Sequence, residues 1–239
     1  MSVIVVTGTG TGVGKTIVTS AIAAIAQSDG RRVAVIKAAQ AGLHEDGTGD
    51  LDTVRRLAGA VTTRELARYL DPLAPETAAR RSGLPTVGPA DIAAAASQLD
   101  ETHDLVIIEG AGGLLVRFDG NGSTIADAAW AMGVPMLMVA QASLGTLNAT
   151  ALTAEVLLKR GIESLGVVIG SWPAEPDLAA RCNLEDLPVA AGAPLLGAIP
   201  EGAGQLNPAQ FLESARAGLS PWFGGDFDPE QFAMTYKSG

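Results

Sequence analysis

Residues 8–16 combine glycines with a lysine and a threonine in a pattern that binds nucleotide phosphates. The segment reads Gly-Thr-Gly-Thr-Gly-Val-Gly-Lys-Thr, follows an apolar run at 3–6 and precedes a helix-like stretch. Backbone N–H groups and the helix N-terminus attract phosphate in such a loop, while Lys15 and Thr16 can reach the terminal phosphates and a Mg²⁺ ion. The usual motif has a glycine at position 9, but Thr9 stands there and the glycine comes one position earlier. The loop is therefore either one residue longer or of a divergent type.

Charged side chains end two other apolar runs. Lys37 follows the run 33–36, where it either contacts a second phosphate or extends into solvent. Glu109 ends the run 105–108 and precedes glycines. A carboxylate at that point is costly without a cationic partner, and nucleotide-bound Mg²⁺ is a natural one. The alternative is a helix-capping or turn role.

Other polar residues leave two interpretations open. Asp50 and Asp52 are candidate second carboxylates for the metal, but Asp50 is equally suited to be a helix N-cap. Segment 143–148, Ser-Leu-Gly-Thr-Leu-Asn, could hold an anion at a helix N-terminus, although capping explains the same residues and is favoured. His44 and His103 stand apart in polar surroundings, and we interpret both as solvated rather than catalytic.

The elements that must position these residues alternate along the chain. Apolar runs without polar alternation predict strands buried on both faces, at 3–6, 33–36, 105–108, 135–139, 165–169 and 195–199. Helices are predicted over 15–27, 51–58, 90–99, 124–131, 147–160 and 208–217. We therefore expect one α/β domain with a doubly wound, mostly parallel sheet and helices on both faces. Its ligands should gather at the carboxyl ends of the strands.

Less regular segments are predicted beside this edge and at the end of the chain. Residues 39–50 and the proline-rich stretch 71–89 are expected to be loops. We assign residues 1–223 to the domain. Residues 224–239 have weak periodicity and are expected to be a tail that is disordered or was added during cloning.

Composition excludes several classes of function. The net charge of −10 argues against a general nucleic-acid binder or a protein of anionic membranes, because both need a cationic surface. Cys182 is the only cysteine, which excludes an intrachain disulfide and a thiolate metal cluster. With no basic leader and no long apolar segment, we expect a cytoplasmic protein.

In combination these segments resemble the dethiobiotin synthetase family of P-loop proteins. The displaced glycine is that family's own form of the loop, whereas the segment 109–113 is shared with related amidotransferase-type synthetases. The matching segments keep the family order over residues 1–200: Gly8-Thr-x-Thr11-x-Val13-Gly14-Lys15-Thr16, Lys37-x-x-x-x-Gly42, Asp50, Glu109-Gly-Ala-Gly-Gly113, Leu144-Gly-x-x-Asn148 and Pro194-Leu-Leu-Gly-x-Ile-Pro200.

The resemblance implies an ATP-dependent cyclo-ligase that joins 7,8-diaminononanoate and CO₂ through a carbamate and a carbamic–phosphoric anhydride. Lys15, Lys37 and Thr11 would act on the reacting groups. The implied nucleotide-binding residues are Gly12, Val13, Gly14, Lys15, Thr16, Ile17, Gly170 and Pro200. The implied Mg²⁺ ligands are Thr16, Asp50 and Glu109. The implied substrate-binding residues are Thr11, Lys37, Ala41, Gly112 and Gly113, joined by Leu144, Gly145, Thr146 and Asn148 from the other subunit of a homodimer.

Two positions depart from the family pattern. Ala41 stands where some members have a serine, whose role could pass to water, to the amide of Gln40 or to nothing. Segment 169–173, Ile-Gly-Ser-Trp-Pro, lacks the asparagine with which some members read adenine. Because a side-chain amide matches the donor and acceptor of adenine, its loss predicts weak base selectivity, so that other nucleoside triphosphates can replace ATP.

Two other classes carry a similar loop. Partitioning or septum-site ATPases have an extra lysine early in the loop, and residues 8–12 contain none. Cobyrinate-type amide synthetases draw ammonia from a glutaminase domain, and Cys182 lacks the context of its nucleophile. A GTPase lacks support because there is no Asn-Lys-x-Asp motif, and a reductase like the nitrogenase iron protein would need cluster cysteines.

Overall fold

The centre of the protein is a parallel β-sheet in a computed structural model that describes residues 2–43 and 47–236. The strands are β1 (Val3–Gly8), β2 (Val33–Lys37), β3 (Gln40–Ala41), β4 (Thr62–Glu65), β5 (Arg68–Tyr69), β6 (Leu105–Gly113), β7 (Met136–Ala140), β8 (Ser164–Trp172) and β9 (Leu195–Pro200). In this part of the chain, seven of them form one sheet in the order β4-β2-β6-β1-β7-β8-β9, and all neighbours run parallel. Strands β3 and β5 pair separately. All carboxyl ends of the main sheet therefore lie at one edge.

Helices cover both faces of this sheet. They are α1 (Lys15–Ser28), α2 (Asp50–Ala58), α3 (Pro75–Ser82), α4 (Pro89–Asp100), α5 (Ile125–Met132), α6 (Thr146–Lys159), α7 (Leu178–Ala191), α8 (Pro208–Gly218) and α9 (Pro229–Tyr236). Helices α1, α2 and α8 contact one another, as do α4 with α5 and α6 with α7. None of the helices in the described residues is long and apolar enough to cross a membrane.

Two apolar cores lie on opposite faces of the sheet, because successive strand residues point to opposite sides. In β1, Val5 packs into one core together with Ile92 of α4, while Ile4 and Val6 pack into the other with Ile22 of α1. All three strand residues are buried. A sheet buried on both faces explains the unbroken apolar runs and confirms the expected doubly wound α/β fold.

Several elements differ from the pattern-based prediction. Strand β4 has no apolar run because it is the edge strand, and two of its four residues are exposed. Helix α3 lies inside the predicted loop 71–89 and begins at Pro75, where a proline is tolerated in the first turn. Helix α7 was absent from the prediction; it contains Pro188 and has little amphipathic character. Within the predicted loop 39–50, β3 is ordered, and His44 lies outside the described residues.

The end of the chain packs against the domain instead of extending from it. Helix α9 places Phe232 and Tyr236 against Trp172 at the end of β8, with ring centroids 5.3 and 5.1 Å away. Phe227, just before the helix, is 3% exposed. Residues 225–236 thus pack against the end of β8, beyond residue 223, where the sequence analysis ended the domain. Residues 237–239 lie outside the described part of the chain.

Candidate active site

A cleft of about 820 Å³ opens at the edge where the parallel strands end. Its walls come from the loop after β1, the end of β2, the start of α2 and the end of β6, where ligands bind in folds of this class. The strand β3 and the segment 72–75 before α3 close the side. Of the predicted site residues, those that line the cleft are Thr11, Gly12, Gly14, Lys15, Thr16, Ile17, Lys37, Ala41, Asp50, Glu109 and Gly112.

The loop after β1 is packed tightly against its neighbours. Gly8 has no room for a side chain, since a Cβ there would lie 2.8 Å from the carbonyl oxygen of Gly10. Gly14 has φ 94°, and a Cβ on it would lie 2.4 Å from the carbonyl oxygen of Gly170. A Cβ on Gly170 would approach the carbonyl oxygen of Val13 to 2.0 Å. The displaced glycine is thus required by the path of the loop, and Gly170 fixes the loop against β8.

Four side chains form a buried polar cluster in the floor of the cleft. This acid–lysine cluster consists of Thr16, Lys37, Asp50 and Glu109. Strands β2 and β6 pair with Lys37 opposite Glu109, which puts the two side chains next to each other. The Lys37 ammonium donates to Glu109 Oε1 at 2.7 Å and forms an ion pair with Asp50. Thr16 donates its hydroxyl to the same Glu109 oxygen at 2.9 Å.

The charges in this cluster support one another despite their burial. Burial alone disfavours the Lys37 ammonium, but Glu109 and Asp50 outweigh it, so the pKa of Lys37 lies above its ordinary value. Burial likewise disfavours the Asp50 carboxylate, but the charge of Lys37 and its hydrogen bond outweigh it, so the pKa of Asp50 lies below its ordinary value. The Lys37 ammonium and the Asp50 carboxylate are therefore both charged at neutral pH.

Lys15 lies in a different electrostatic environment. Its ammonium donates to the carbonyl oxygen of Gly10 at 3.0 Å. Burial lowers its pKa to about 8; Glu109 opposes this shift and the positive charge of Lys37 adds to it. Lys15 faces the cleft and forms no ion pair with another described residue. Such a lysine attracts an anionic ligand, because the ligand would restore the charge balance.

Asp50 and Asp52 have different roles in the structure. Helix α2 begins at Asp50, with Gly49 as its N-cap, so Asp50 does not cap the helix and turns instead to Lys37. The Asp52 carboxylate accepts the N–H of Gly49 at 2.8 Å and pairs with Arg55. The capping role thus belongs to Asp52, and Asp50 is the carboxylate of the cluster.

The cluster has oxygen atoms that fit a hard divalent cation. Glu109 is 1% exposed, and its Oε2 atom has no hydrogen-bond partner among the described residues. Asp50 and the Thr16 hydroxyl lie beside it. The described residues contain no group of three or more histidine, cysteine or acidic side chains that could enclose a metal. Two carboxylates and a hydroxyl suit Mg²⁺, which keeps several waters and needs few protein ligands.

Other predicted site residues lie outside the cleft. Val13 is buried behind the loop, Gly113 pairs with Gly8 in the sheet, and Pro200 is exposed at the end of β9. The segment from Leu144 to Asn148 lies at the start of α6 and does not line the cleft of its own chain. His103 is remote as well and bonds to Leu99 and Thr62 at the surface.

Sequence patterns missed one feature of the cleft, the segment 72–75, and named Gln40 only as one possible replacement for the family serine. Gln40 is buried and lines the cleft. Segment 72–75, Pro-Leu-Ala-Pro, forms an apolar wall. The only indication of Gln40 in the sequence was its closeness to Lys37. The prolines of segment 72–75 were interpreted as loop residues, because proline occurs in turns as often as in the first turn of a helix.

Comparison with known proteins agrees with this geometry. A family model described as an AAA domain matches residues 2–209. The "ATP-dependent dethiobiotin synthetase BioD" of Streptomyces avermitilis is 60% identical over 236 residues, covering 99% of each chain. The protein of that name from Saccharopolyspora erythraea is 62% identical over 225 residues, covering 94% of this chain and 98% of its own. Among solved structures, the cell division ATPase MinD of Pyrococcus furiosus matches with a TM-score of 0.57 at 19% identity over 90% of this chain and 97% of its own, a likeness in fold alone.

Proposed function

The chain belongs to the family of ATP-dependent dethiobiotin synthetases, and we propose that its acid–lysine cluster supports the phosphoryl transfer in that reaction. The observation that carries this proposal is Lys37, which is buried between Asp50 and Glu109 beside the phosphate-binding loop. Phosphoryl transfer needs little covalent chemistry from a protein, because positioning and charge stabilisation lower most of the barrier. A fixed ammonium next to the loop supplies both.

The substrates in this proposal are 7,8-diaminononanoate, CO₂ and a nucleoside triphosphate. One amine adds to CO₂, forms an N–C bond and loses a proton to give a carbamate. A carbamate oxygen then attacks the γ-phosphorus, and the bond to the bridging oxygen breaks to release the nucleoside diphosphate. The second amine attacks the carbamic carbon, closes the ureido ring and expels phosphate as it loses its proton. Because the reaction consumes a nucleoside triphosphate, we place it in the cytoplasm, which cell fractionation can check.

Lys15 and Lys37 have separate tasks in this scheme. Lys15, on the loop and without an ion pair among the residues that the structure describes, would bind the phosphates of the nucleotide. Lys37 would stabilise the charge that develops as the γ-phosphoryl group moves, and Thr11, which lines the same cleft, would contact the reacting groups. Gly112, which lines the cleft, would lie along the substrate, with Gly113 next to it; a Cβ on Gly112 would lie 2.9 Å from Val116, so a side chain there would disturb this wall of the cleft.

The divalent cation in this proposal is Mg²⁺. Thr16, Asp50 and Glu109 would hold it, since Glu109 has a free buried oxygen and both other side chains lie beside it. When bound, Mg²⁺ neutralises charge on the phosphate oxygens. The apolar wall 72–75 would face the alkyl chain of the diamine, because apolar surface is favourable there and costly against phosphates.

Substitution of Lys37 tests this division of tasks. Lys37→Ala should lower kcat by about 100- to 1,000-fold, the usual cost of one lost electrostatic donor in a transition state. The Kd for nucleotide should change little, whereas Lys15→Ala should weaken nucleotide binding. Stopped assays for kcat and calorimetry for Kd give both numbers. A Lys37→Ala enzyme with normal kcat and a raised KM would contradict the assignment.

We also propose that the enzyme discriminates weakly between nucleotide bases. The end of β8 offers Gly170, whose backbone contacts the loop, Ser171 at the surface and Trp172 in the core. None of them carries an amide that could match the edge of adenine. Turnover and affinity should be compared for ATP, CTP and GTP. A preference for ATP above about a hundredfold, or 2.7 kcal/mol, would refute this proposal.

The third proposal is a homodimer with a substrate site shared between the two copies. Asn148 and Leu152 are spaced four residues apart and lie on one side of α6, while Leu144 comes just before the helix; the two leucines, Leu144 and Leu152, are 87% and 56% exposed. These residues do not line their own cleft. We infer that these residues reach a diamine in the cleft of a second copy. Exposed leucines suit a contact between two copies of the chain.

A charged substitution on this face tests the dimer. Leu152→Asp should convert the dimer to a monomer in light scattering and raise the KM for 7,8-diaminononanoate by at least about tenfold, because a buried unpaired charge opposes association. Leu84→Asp, at an exposed leucine after α3, is the matched control and should change neither. A wild-type enzyme that is monomeric during full turnover would contradict the proposal.

A further inference from the structure

Gln40 ties the strand after Lys37 to the first residue of α2. Its side chain is 6% exposed. The amide nitrogen donates to the carbonyl oxygen of Gly42 at 2.8 Å, and the amide oxygen accepts the N–H of Asp50 at 2.9 Å. One side chain therefore holds both the turn after β3 and the residue whose carboxylate pairs with Lys37.

The start of α2 needs such an acceptor. The first N–H groups of a helix have no partner within the helix, and the N-cap residue usually supplies one with its side chain. Here the N-cap is Gly49, which has no side chain to offer. The Asp52 carboxylate accepts the N–H of Gly49, and Gln40 accepts the N–H of Asp50. The backbone of Asp50 is thus held from outside the helix.

Gly49 also leaves the room that this contact requires. A Cβ at position 49 would lie 2.9 Å from the amide oxygen of Gln40 and 3.0 Å from its amide carbon. The backbone of Gly49 has φ −118°, a value that other residues adopt freely. Glycine is needed here for the approach of Gln40, and alanine would push that amide away without straining the backbone.

We propose that Gln40 is a positioning residue that fixes the Asp50 carboxylate in the acid–lysine cluster, and so sets the affinity of the cluster for a divalent cation. This inference rests on the proposed function, in which Asp50 is a metal ligand. Partners that orient a metal ligand without touching the metal commonly change affinity or activity by about 10- to 100-fold when removed. A substrate contact in place of the family serine is the competing role, but the amide oxygen and one N–H are already bonded.

Binding of Mn²⁺ tests the inference without turnover. Mn²⁺ affinity is measured by electron paramagnetic resonance in the presence of a non-hydrolysable ATP analogue, next to kcat, the KM for diamine and the urea midpoint. Gln40→Met keeps the length of the side chain and removes both hydrogen bonds. Its Mn²⁺ Kd should rise and its kcat should fall by about tenfold, with the KM for diamine within about twofold of wild type. Gln40→Glu keeps an acceptor for Asp50, so its Mn²⁺ Kd should stay within about threefold.

Two further variants keep the test decisive. Gly49→Ala displaces the Gln40 amide from the other side and should raise the Mn²⁺ Kd about threefold or more, so it serves even if Gln40→Met does not fold. Tyr69→Phe is the matched control. Tyr69 lies in β5, the partner strand of β3, and the substitution removes the 2.7 Å hydrogen bond that its hydroxyl donates to the carbonyl oxygen of Pro85. It should lower the urea midpoint and leave the Mn²⁺ Kd unchanged.

The outcomes separate this inference from the proposed function. If Asp50→Asn leaves the Mn²⁺ Kd unchanged, the metal assignment fails and the role of Gln40 fails with it. If Asp50→Asn weakens Mn²⁺ binding but neither Gln40→Met nor Gly49→Ala does, only the positioning role is overturned. A raised KM for diamine with an unchanged Mn²⁺ Kd would also overturn it, because that result assigns Gln40 to the substrate.

Discussion

Removal of the Lys37 side chain should lower the free energy of unfolding of the protein as well as its kcat. Lys37→Met keeps much of the side-chain volume and deletes the cation between Asp50 and Glu109. Glu109 is 1% exposed, and its remaining partner in the described residues is the Thr16 hydroxyl at 2.9 Å. The variant therefore buries a carboxylate with one hydrogen bond and without an ion pair to any other described residue.

The size of this effect follows from the burial of the pair. Deleting one partner of a buried ion pair costs about 3–5 kcal/mol, because the other charge stays out of water. The Asp50 side chain is 26% exposed and adds less, since water can screen its charge. Domains unfold with about 5–15 kcal/mol, so the variant should lose a large share of its stability. Lys37→Met combined with Glu109→Gln should recover at least half of the loss, because the buried charge is then gone.

Urea unfolding, followed by circular dichroism at pH 7.5 in the presence of EDTA, gives the free energy of unfolding of wild type, of Lys37→Met and of the double variant.

The pH dependence of the stability supplies a second check. The pKa of Asp50 is lowered in the folded state, so its ion pair stabilises the fold above about pH 4 and is lost as the pH falls through the folded-state pKa. The pKa of Lys37 is raised, so its contribution is intact at neutral pH and is lost only in strong alkali. The advantage of wild type over Lys37→Met should thus shrink in acid.

Two results would contradict the assignment of Lys37 and Glu109 as a buried ion pair that stabilises the fold. A loss below about 1 kcal/mol for Lys37→Met would mean that Glu109 is hydrated or protonated in the folded state and that the pair is not a buried ion pair. A double variant less stable than Lys37→Met would mean that Glu109 supports the fold through contacts other than Lys37.

Three further predictions concern other parts of the fold. Lys15→Met, without nucleotide, should be at least as stable as wild type at pH 7; the folded-state pKa of Lys15 is about 8 against an ordinary 10.5, so the wild type should gain on the variant as the pH rises through that window in urea titrations. Gly170→Ala should abolish nucleotide binding in calorimetry and lower the melting temperature, because its Cβ would lie 2.0 Å from the carbonyl oxygen of Val13; normal binding would contradict the tight packing of the loop. Phe232→Ala should destabilise the protein by about 1–2 kcal/mol and shift Trp172 fluorescence to the red, and an unchanged spectrum would show that α9 does not cover that ring.

The fold was predictable where burial dictates the sequence. Strands covered on both faces must be apolar without alternation, so the runs at 3–6 and 105–108 identified β1 and β6. Strand β4 was not predicted, because an edge strand tolerates polar residues and so has no unbroken apolar run. The last helix escaped because few of its residues are buried; its ring contacts with Trp172 join segments far apart in the chain, and no local pattern encodes them.

The site was predictable in part for the same reason. Lys37 and Glu109 each end an apolar run, and parallel pairing brings the ends of neighbouring runs to one edge. The choice between Asp50 and Asp52 depended on which of them caps α2, and the sequence allowed either. Gln40 acts through a hydrogen bond to a residue ten positions away across a turn, so neither strand nor helix periodicity points to it.

We propose that the acid–lysine cluster serves ureido ring formation and not a nucleotide switch. One assay tests it most directly: the enzyme is mixed with 7,8-diaminononanoate, bicarbonate and Mg–ATP, and phosphate is followed together with the ureido product by mass spectrometry. We expect one phosphate per ureido ring and no phosphate release above background without the diamine. Steady phosphate release without the diamine, or phosphate without ureido product, would contradict it and favour a switch ATPase.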